Sequence, residues 1–318
     1  MTVDQNDQVP RISLESETTV GRPPQSLLKM TWQRFRRHKM ALFGIGLMLA
    51  IILFVTVGAL LLTEDYANYN DLKIRLNPPS AAHPFGTDGT GRDILARTIY
   101  GGQISILIGL FSVTVSVTVG VVVGAVSGFY GGIVDSILMR LTETLFNIPQ
   151  IFLLILLSKM LGGKIEPFVL LGRTFSGSVI VIVFVIGLTS WMGLSRIVRA
   201  NYLALREREF ITAARCLGTQ NMYIIFRHIL PNTIGPIVVS ATLGVAAAIL
   251  SEAYISFLGL GVQPPTATWG NMLDQAYHHV DTEPWMWFFP GTLILLTVLA
   301  INFLGDGLRD ALDPRTIR

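Results

Sequence analysis

An all-α membrane protein crossing the bilayer six times is the fold class this sequence predicts, on three observations. Hydrophobic residues make up 51% of the 318 and charged residues 14%, and the mean hydropathy is +0.55, a profile foreign to a soluble domain of this length. Apolar runs long enough to cross a hydrocarbon core of roughly 30 Å recur along the chain. Lysine and arginine concentrate in alternate polar stretches, the asymmetry that orients a multi-pass chain.

Residues 1 to about 28 are polar, contain proline and lack apolar periodicity, so a mobile tail is expected there. From Lys29 to Lys39 the basic side chains of Lys29, Arg34, Arg36, Arg37 and Lys39 interleave with Trp32 and Phe35. Next to a span, that composition suits an anchor on lipid headgroups better than a nucleic-acid surface. Residues 1–40 are thus one cytoplasmic unit. The first span, 41–62, has no charged residue and starts too far along, and runs too long, for a cleavable signal. Residues 63–100, mixed polar with Pro78, Pro79 and Pro84, read as an insertion on the far side of the membrane.

Five further spans form a core over 101–308. In the second span, about 104–128, Gly120, Gly124 and Gly128 recur every four residues, a smooth stripe that lets a neighbouring helix come close. The third, about 137–161, follows Asp135 and contains Arg140 and Glu143 near its inner end, charges expected to be solvated or paired. Pro149 should kink it. A short outer loop, 162–177, precedes the fourth span, about 178–198, with Arg196 and Arg199 at its end. The fifth, about 232–258, contains Glu252, the one acidic residue deep in an apolar stretch. A charge at the bilayer centre costs roughly 2.5–3.5 kcal/mol on insertion scales, so Glu252 should face protein or water. The sixth, about 285–304, opens on Trp285, Trp287, Phe288 and Phe289 as an interfacial belt, and residues 309–318 form the closing tail.

The first forty residues hold seven basic side chains, 195–230 six and the C-terminal tail three, whereas the loops at 162–177 and 259–284 hold two together. Both termini are therefore expected on the cytoplasmic side. The insertion, with four basic and five acidic residues, is long enough to translocate with its charges.

Between the fourth and fifth spans, about 200–231, lies a polar stretch with helical patterning. Phe210, Ala213, Ala214 and Leu217 fall on one face of a short helix, with Arg206, Glu207, Arg208 and Arg215 over the rest. Gly218 supplies a stop. Met222, Ile225, Phe226, Ile229 and Leu230 form a second stripe, and Pro231 suits the first turn of the next span. The segment reads as helix, glycine turn, helix, membrane.

The lone cysteine, Cys216, excludes an internal disulfide and a cysteine metal cluster. There is no complete P-loop, no G-x-S-x-G elbow and no H-E-x-x-H zinc helix. His278 and His279, beside Asp274 and Asp281, are expected in a solvated loop rather than on a metal. No catalytic residue, metal or cofactor of its own is assigned to the chain.

Ala213-Ala214, Gly218 and His228-x-Leu230-Pro231 have the spacing of the EAA loop of ATP-binding-cassette (ABC) importer permeases. The flanking Glu209 to Arg215 and Arg227 to Asn232 resemble more narrowly the second permease of dipeptide, oligopeptide and nickel importers. Thr212 stands where the motif's glutamate would, and Glu209 lies one helical turn earlier, as in the peptide subfamily. Two outer stretches resemble the same family: His83-Pro-Phe-Gly-Thr-Asp88 with Gly91-Arg92-Asp93, and Ser256-Phe-Leu-Gly-Leu-Gly261 with Pro264-Pro265 and Trp269-Gly270.

The resemblance, covering most of the chain after residue 30, implies the type I importer permease fold. It implies a heterodimer with a second homologous permease, two cytoplasmic ATPases holding the ATP and Mg, and an extracytoplasmic solute-binding protein, in a bacterial or archaeal plasma membrane. Glu209, Ala213, Ala214, Arg215, Gly218, His228 and Pro231 would then couple the ATPases to the spans, and Glu252 would line the path or pair across the permease interface. Peptides are the implied solute, nickel the alternative. A secondary transporter would need its own coupling chemistry, which one deep carboxylate and no paired broken helices do not supply. A membrane scaffold would need no ATPase.

Overall fold

Some helices start where a side chain caps them rather than where apolar sequence begins, and this moves their boundaries. The computed structural model describes residues 27–170 and 173–312; the polar tail before residue 27, and Arg315 and Arg318, lie outside the described residues. Helix α1 (Leu27–Phe35) leads to α2 (Lys39–Leu61), whose first turn is capped by His38 Nδ1 accepting from the Ala41 N–H at 3.0 Å. The short α3 (Glu64–Asn68) and a 3₁₀ turn (Leu72–Ile74) open the insertion. It ends at Asp93, which caps α4 (Ile94–Tyr130) by accepting from Ala96 N–H at 2.8 Å. The second span thus begins ten residues before the apolar run at 104, because Arg97, Thr98 and Tyr100 turn inward onto protein rather than outward onto lipid.

The third span is broken, not merely kinked. Helix α5 (Gly132–Phe146) and α6 (Gln150–Leu161) meet at 86°, with Pro149 in an extended conformation, ψ 123°, capping α6. The outer loop at 162–177 contains a small antiparallel hairpin, β1 (Phe168–Leu170) with β2 (Arg173–Phe175), so the helical fold has one two-stranded exception. Helix α7 (Ser178–Arg206) runs eight residues past the fourth apolar stretch. Helix α8 (Glu209–Cys216) follows. Then α9 (Asn221–Tyr223), a π-helical turn (Ile224–Ile229) and α10 (Leu230–Phe257) join into one 37-residue helix. The expected separate helix is therefore the foot of the fifth span; the wider π register, Leu230 N–H to Ile225 C=O, accommodates Pro231, which has no N–H to give. Helices α11 (Trp269–Tyr277) and α12 (Trp285–Leu312) complete the chain. Among the described residues five helices are long and apolar enough to cross a membrane, six crossings if α5 and α6 count as one.

Helix α4 is the axis of the assembly. Its pairing with α7 is the most extensive in the molecule. A Cβ on Gly124 would sit 2.5 Å from Ser195 C=O, and one on Gly128 would sit 2.6 Å from Tyr202 Cβ. Only glycine permits this approach, so the stripe read from the sequence is the contact itself. On the other faces, Ile104 and Ile108 meet Val185, Ile186 and Ile255. At 37 residues and about 1.5 Å each, α4 is roughly 55 Å long, well beyond the hydrocarbon core.

The insertion is tied to the N-terminal end of α4 by polar contacts. Asp88 accepts from Thr90 N–H at 2.8 Å, Arg92 N–H at 3.0 Å and Arg92 Nε at 2.8 Å, while Arg92 Nη2 donates to Gln275 Oε1 at 3.0 Å. Burial alone would raise the Asp88 carboxyl, but the charges of Arg92 and Arg97 and these hydrogen bonds hold it below the usual range. His83 Nδ1 meets Asp93 at 2.9 Å. The glycine-rich motif is therefore turn chemistry around two buried aspartates.

Candidate functional site

Where α7 ends, its last turns and those of α4 form a platform. Val198 and Tyr202 of α7, with Ala125 and Phe129 of α4, receive Ile211 and Ala214 of α8 and Ile224, Ile225 and Ile229 of the following helix. Tyr202 is fully buried, and its hydroxyl donates to Ile225 C=O at 3.2 Å, pinning the foot of the fifth span to α7. Helix α8 therefore rests on one narrow face. The rest of it looks outward.

The end of α8 is a Schellman motif. Thr219 N–H donates to Ala214 C=O at 3.1 Å and Gly218 N–H to Arg215 C=O at 2.9 Å, with Gly218 at φ +75°. No atom of the chain lies within 4 Å of where a Gly218 Cβ would stand, so this turn is free on its outer side.

Of the residues assigned to this loop by resemblance, Glu209 is exposed in the first turn of α8, where a negative charge suits the helix dipole. Ala213 is exposed and Ala214 buried. Arg215 places its guanidinium 5.6 Å above the Phe129 ring, and His228 meets Tyr223 edge-on at 5.5 Å. Pro231 is exposed. Of the apolar stripes read from spacing, Phe210 and Leu217 are 45% and 86% exposed and Met222 and Phe226 60% and 57%, whereas Ile225 and Ile229 are buried. These helices have two apolar faces, and spacing alone does not say which turns in. Ile211 and Ile224 were the missed core residues.

Beside the platform lies a charge cluster. Arg199 of α7 grips Asp135 of α5 through Nε and Nη2, both at 2.5 Å, and Ser127 of α4 donates its hydroxyl to the same carboxylate. Arg206 Nη1 donates to Gly128 C=O at 3.2 Å, at the end of α4. Asp135 thus pairs with Arg199 on another helix, not with nearby Arg140.

Above this cluster, a cavity of about 420 Å³ opens between α4, α7, α10 and the bend between α5 and α6. Small and hydroxyl side chains line it, among them Ser112, Ser116, Thr189, Ser190, Ser240 and Ser251. Glu252, next to Ser251, points the other way. It is fully buried and accepts from Ser256 Oγ at 2.8 Å and Ser105 Oγ at 3.1 Å, while Ser105 also accepts from Trp269 N–H at 3.2 Å. The structure does not bring Glu252 to the cavity; it ties α10 to α4 and to the start of α11.

This arrangement of spans, with a soluble-facing helix hung from them, is that of a transport permease. A family model described as "Binding-protein-dependent transport system inner membrane component" matches residues 120–318, and one described as "N-terminal TM domain of oligopeptide transport permease C" matches 26–79. The chain is 45% identical over 284 residues to a putative peptide permease protein of Brucella suis biovar 1, covering 89% of each. It is 38% identical over 302 residues to the dipeptide transport system permease protein DppC of Bacillus subtilis, covering 94% of this chain and 89% of that protein. It is also 45% identical over 284 residues to the glutathione transport system permease protein GsiD of Salmonella typhimurium, again covering 89% of each. A structure of the MetNI methionine ABC transporter in an inward-facing conformation aligns with a TM-score of 0.52 at 18% identity, covering 67% of this chain and 94% of that one, which shows a shared fold. The chain belongs to the binding-protein-dependent transport system inner membrane component family, as a permease subunit of an ABC importer and not an enzyme.

Proposed function

We propose that this chain imports short peptides as one half of a permease pair, with both termini in the cytoplasm of a bacterial or archaeal cell. Two ATPases, which bind the ATP and Mg, dock on α8, and an extracytoplasmic binding protein delivers solute to the opposite face. One observation supports this most directly. Phe210, Leu217, Met222, Tyr223 and Phe226 are all exposed around a polar helix whose inner face is already filled. Large apolar side chains gathered on a cytoplasmic loop mark a protein interface.

In this reading Glu209, Ala213 and Gly218 lie on the docking surface, where small side chains let a groove approach closely. Ala214 holds α8 to its platform, Arg215 links it to Phe129, and His228 and Pro231 form the junction with the fifth span. Closure of the ATPases on ATP would push α8, and the buried isoleucines beneath would pass the push to α7 and α10. The peptide assignment rests on the names of the relatives and on an uncharged cavity lining; nickel, the alternative, would find no carboxylate, histidine or cysteine among the lining residues. Glu252 enters as an internal tie.

Affinity purification of the chain from its native membrane tests the reading. The expected result is co-elution of a second permease and two ATPases, with ATP hydrolysis stimulated by a peptide-loaded binding protein. Recovery without an ATPase would overturn it.

A further inference from the structure

A second hollow, a shallow open groove of about 330 Å³, adjoins the first and is lined by Gln150, Ile151 and Leu154 of α6 and by Leu250, Ser251 and Tyr254 of α10. Gln150 and Ser251 line both cavities. Along α10 the first compartment runs from Ser240 to Ser251 and the second continues to Tyr254, a path of about 21 Å at 1.5 Å per residue. Gln150 stands at the border. Its Nε2 donates to Ser190 Oγ of α7 at 3.0 Å, so its side chain bridges the groove from the broken third span to the fourth.

The walls are apolar with hydroxyl groups set among the apolar side chains. Ser190 donates to Ile186 C=O at 2.7 Å, Thr189 to Val185 C=O at 2.8 Å and Ser251 to Ala247 C=O at 2.8 Å. Each hydroxyl proton is thus committed to its own helix, and each oxygen keeps lone pairs that can accept. Ser112 Oγ is fully buried behind the wall and has no hydrogen-bond partner among the described residues. No lining side chain of either compartment bears a formal charge. Such walls accept hydrogen bonds from amide N–H and ammonium groups, and a carboxamide at the border both donates and accepts, as a peptide bond does.

We propose that Gln150 is the gate between the two compartments and the residue that keeps the path indifferent to the charge of the peptide passing it. The inference rests on the peptide-import reading and deepens it. Solute moving along α10 displaces the Gln150 to Ser190 hydrogen bond and replaces it with its own amide groups, so opening exchanges one hydrogen bond for another. The 86° bend sets Gln150 in the first turn of α6, at the junction with α5.

The test uses the assembled importer, reconstituted in proteoliposomes with its ATPases and binding protein. It is offered equal amounts of a lysine-containing and a glutamate-containing tripeptide, and uptake of the two is compared within one preparation, so that differences in assembly cancel. Gln150→Glu is expected to raise the lysine-to-glutamate uptake ratio about five-fold over the unmodified importer, the effect of a partly exposed ion pair. Gln150→Lys is expected to lower it by a similar factor. A structural role for Gln150 would depress both peptides alike. Unchanged ratios in both variants, with peptide uptake by the unmodified importer intact, would overturn the gate alone. Absence of ATP-driven uptake of either tripeptide by the unmodified importer would overturn the import reading and the gate with it.

Discussion

Gly218 and Gly259 close α8 and α10 in the same way. Each has positive φ, +75° and +72°, each donates its N–H to the carbonyl three residues back, and neither has an atom of the chain within 4 Å of a built Cβ. A valine at either site therefore meets the same backbone strain, of order 1–3 kcal/mol, and no clash within the chain. The two differ only in what lies outside them. Gly218→Val is expected to abolish ATP-driven uptake and weaken ATPase co-purification, while Gly259→Val lowers thermal stability by a similar amount and leaves the ATPases bound. Capture of solute by the binding protein should survive in both. Equal ATPase retention in the two variants would remove Gly218 from the docking surface.

Asp88 offers a second single-residue test. Its carboxyl is held below its ordinary value near 3.9, so its ionised form binds the insertion more tightly than it would the unfolded chain. That contribution is complete above pH about 3.9 and is lost as the pH falls through the folded value. Hydrogen exchange at the Thr90 and Arg92 amides, which donate to Asp88, is expected to accelerate in acid below that point. Asp88→Asn should exchange faster at neutral pH and lose most of the acid dependence.

Among the helices, the contact most open to experiment is Asp135 on Arg199. It joins α5, one arm of the broken span, to α7, the helix on which α8 hangs, and Ser127 brings in α4. The pair is thus placed to carry movement of the docking loop to the bend that bounds the cavity. Removing one partner leaves a partly buried charge alone, which costs more than the pair itself contributes. Asp135→Asn is expected to leave ATPase binding intact while lowering solute moved per ATP hydrolysed several-fold. The exchange Asp135→Arg with Arg199→Asp should recover part of the loss. An unchanged transport-to-hydrolysis ratio in Asp135→Asn would show that the pair only holds the helices together.

Much of the whole molecule was legible in the amino-acid sequence, for identifiable reasons. Spans are written as uninterrupted apolar length, and the Gly120, Gly124, Gly128 stripe as spacing, both one-dimensional properties. The start of α4 was missed because Arg97, Thr98 and Tyr100 look like loop residues until tertiary contacts cover them. The break at Pro149 was legible, its 86° was not, since a proline states that a hydrogen bond is absent and not how far the chain turns. On α8 the two apolar faces differ by one residue of phase, and only the platform of Val198 and Tyr202 decides between Ile211 and Phe210. Glu252 was legible as a residue needing partners; Ser105, 147 positions away, was not legible as one of them.

Helix α4 has no proline in its 37 residues, whereas α10 and α12 contain Pro236 and Pro290. For a helix of roughly 55 Å, a tilt of about 10° about one end would carry the other through about 10 Å. One end is Gly128 and Phe129, against the loop proposed above as the ATPase docking surface; the other is Asp93, in the cap proposed to face the solute. In the proposed reading a single helix gears the two surfaces together, and its tilt is the quantity that an arriving solute and an arriving nucleotide have in common.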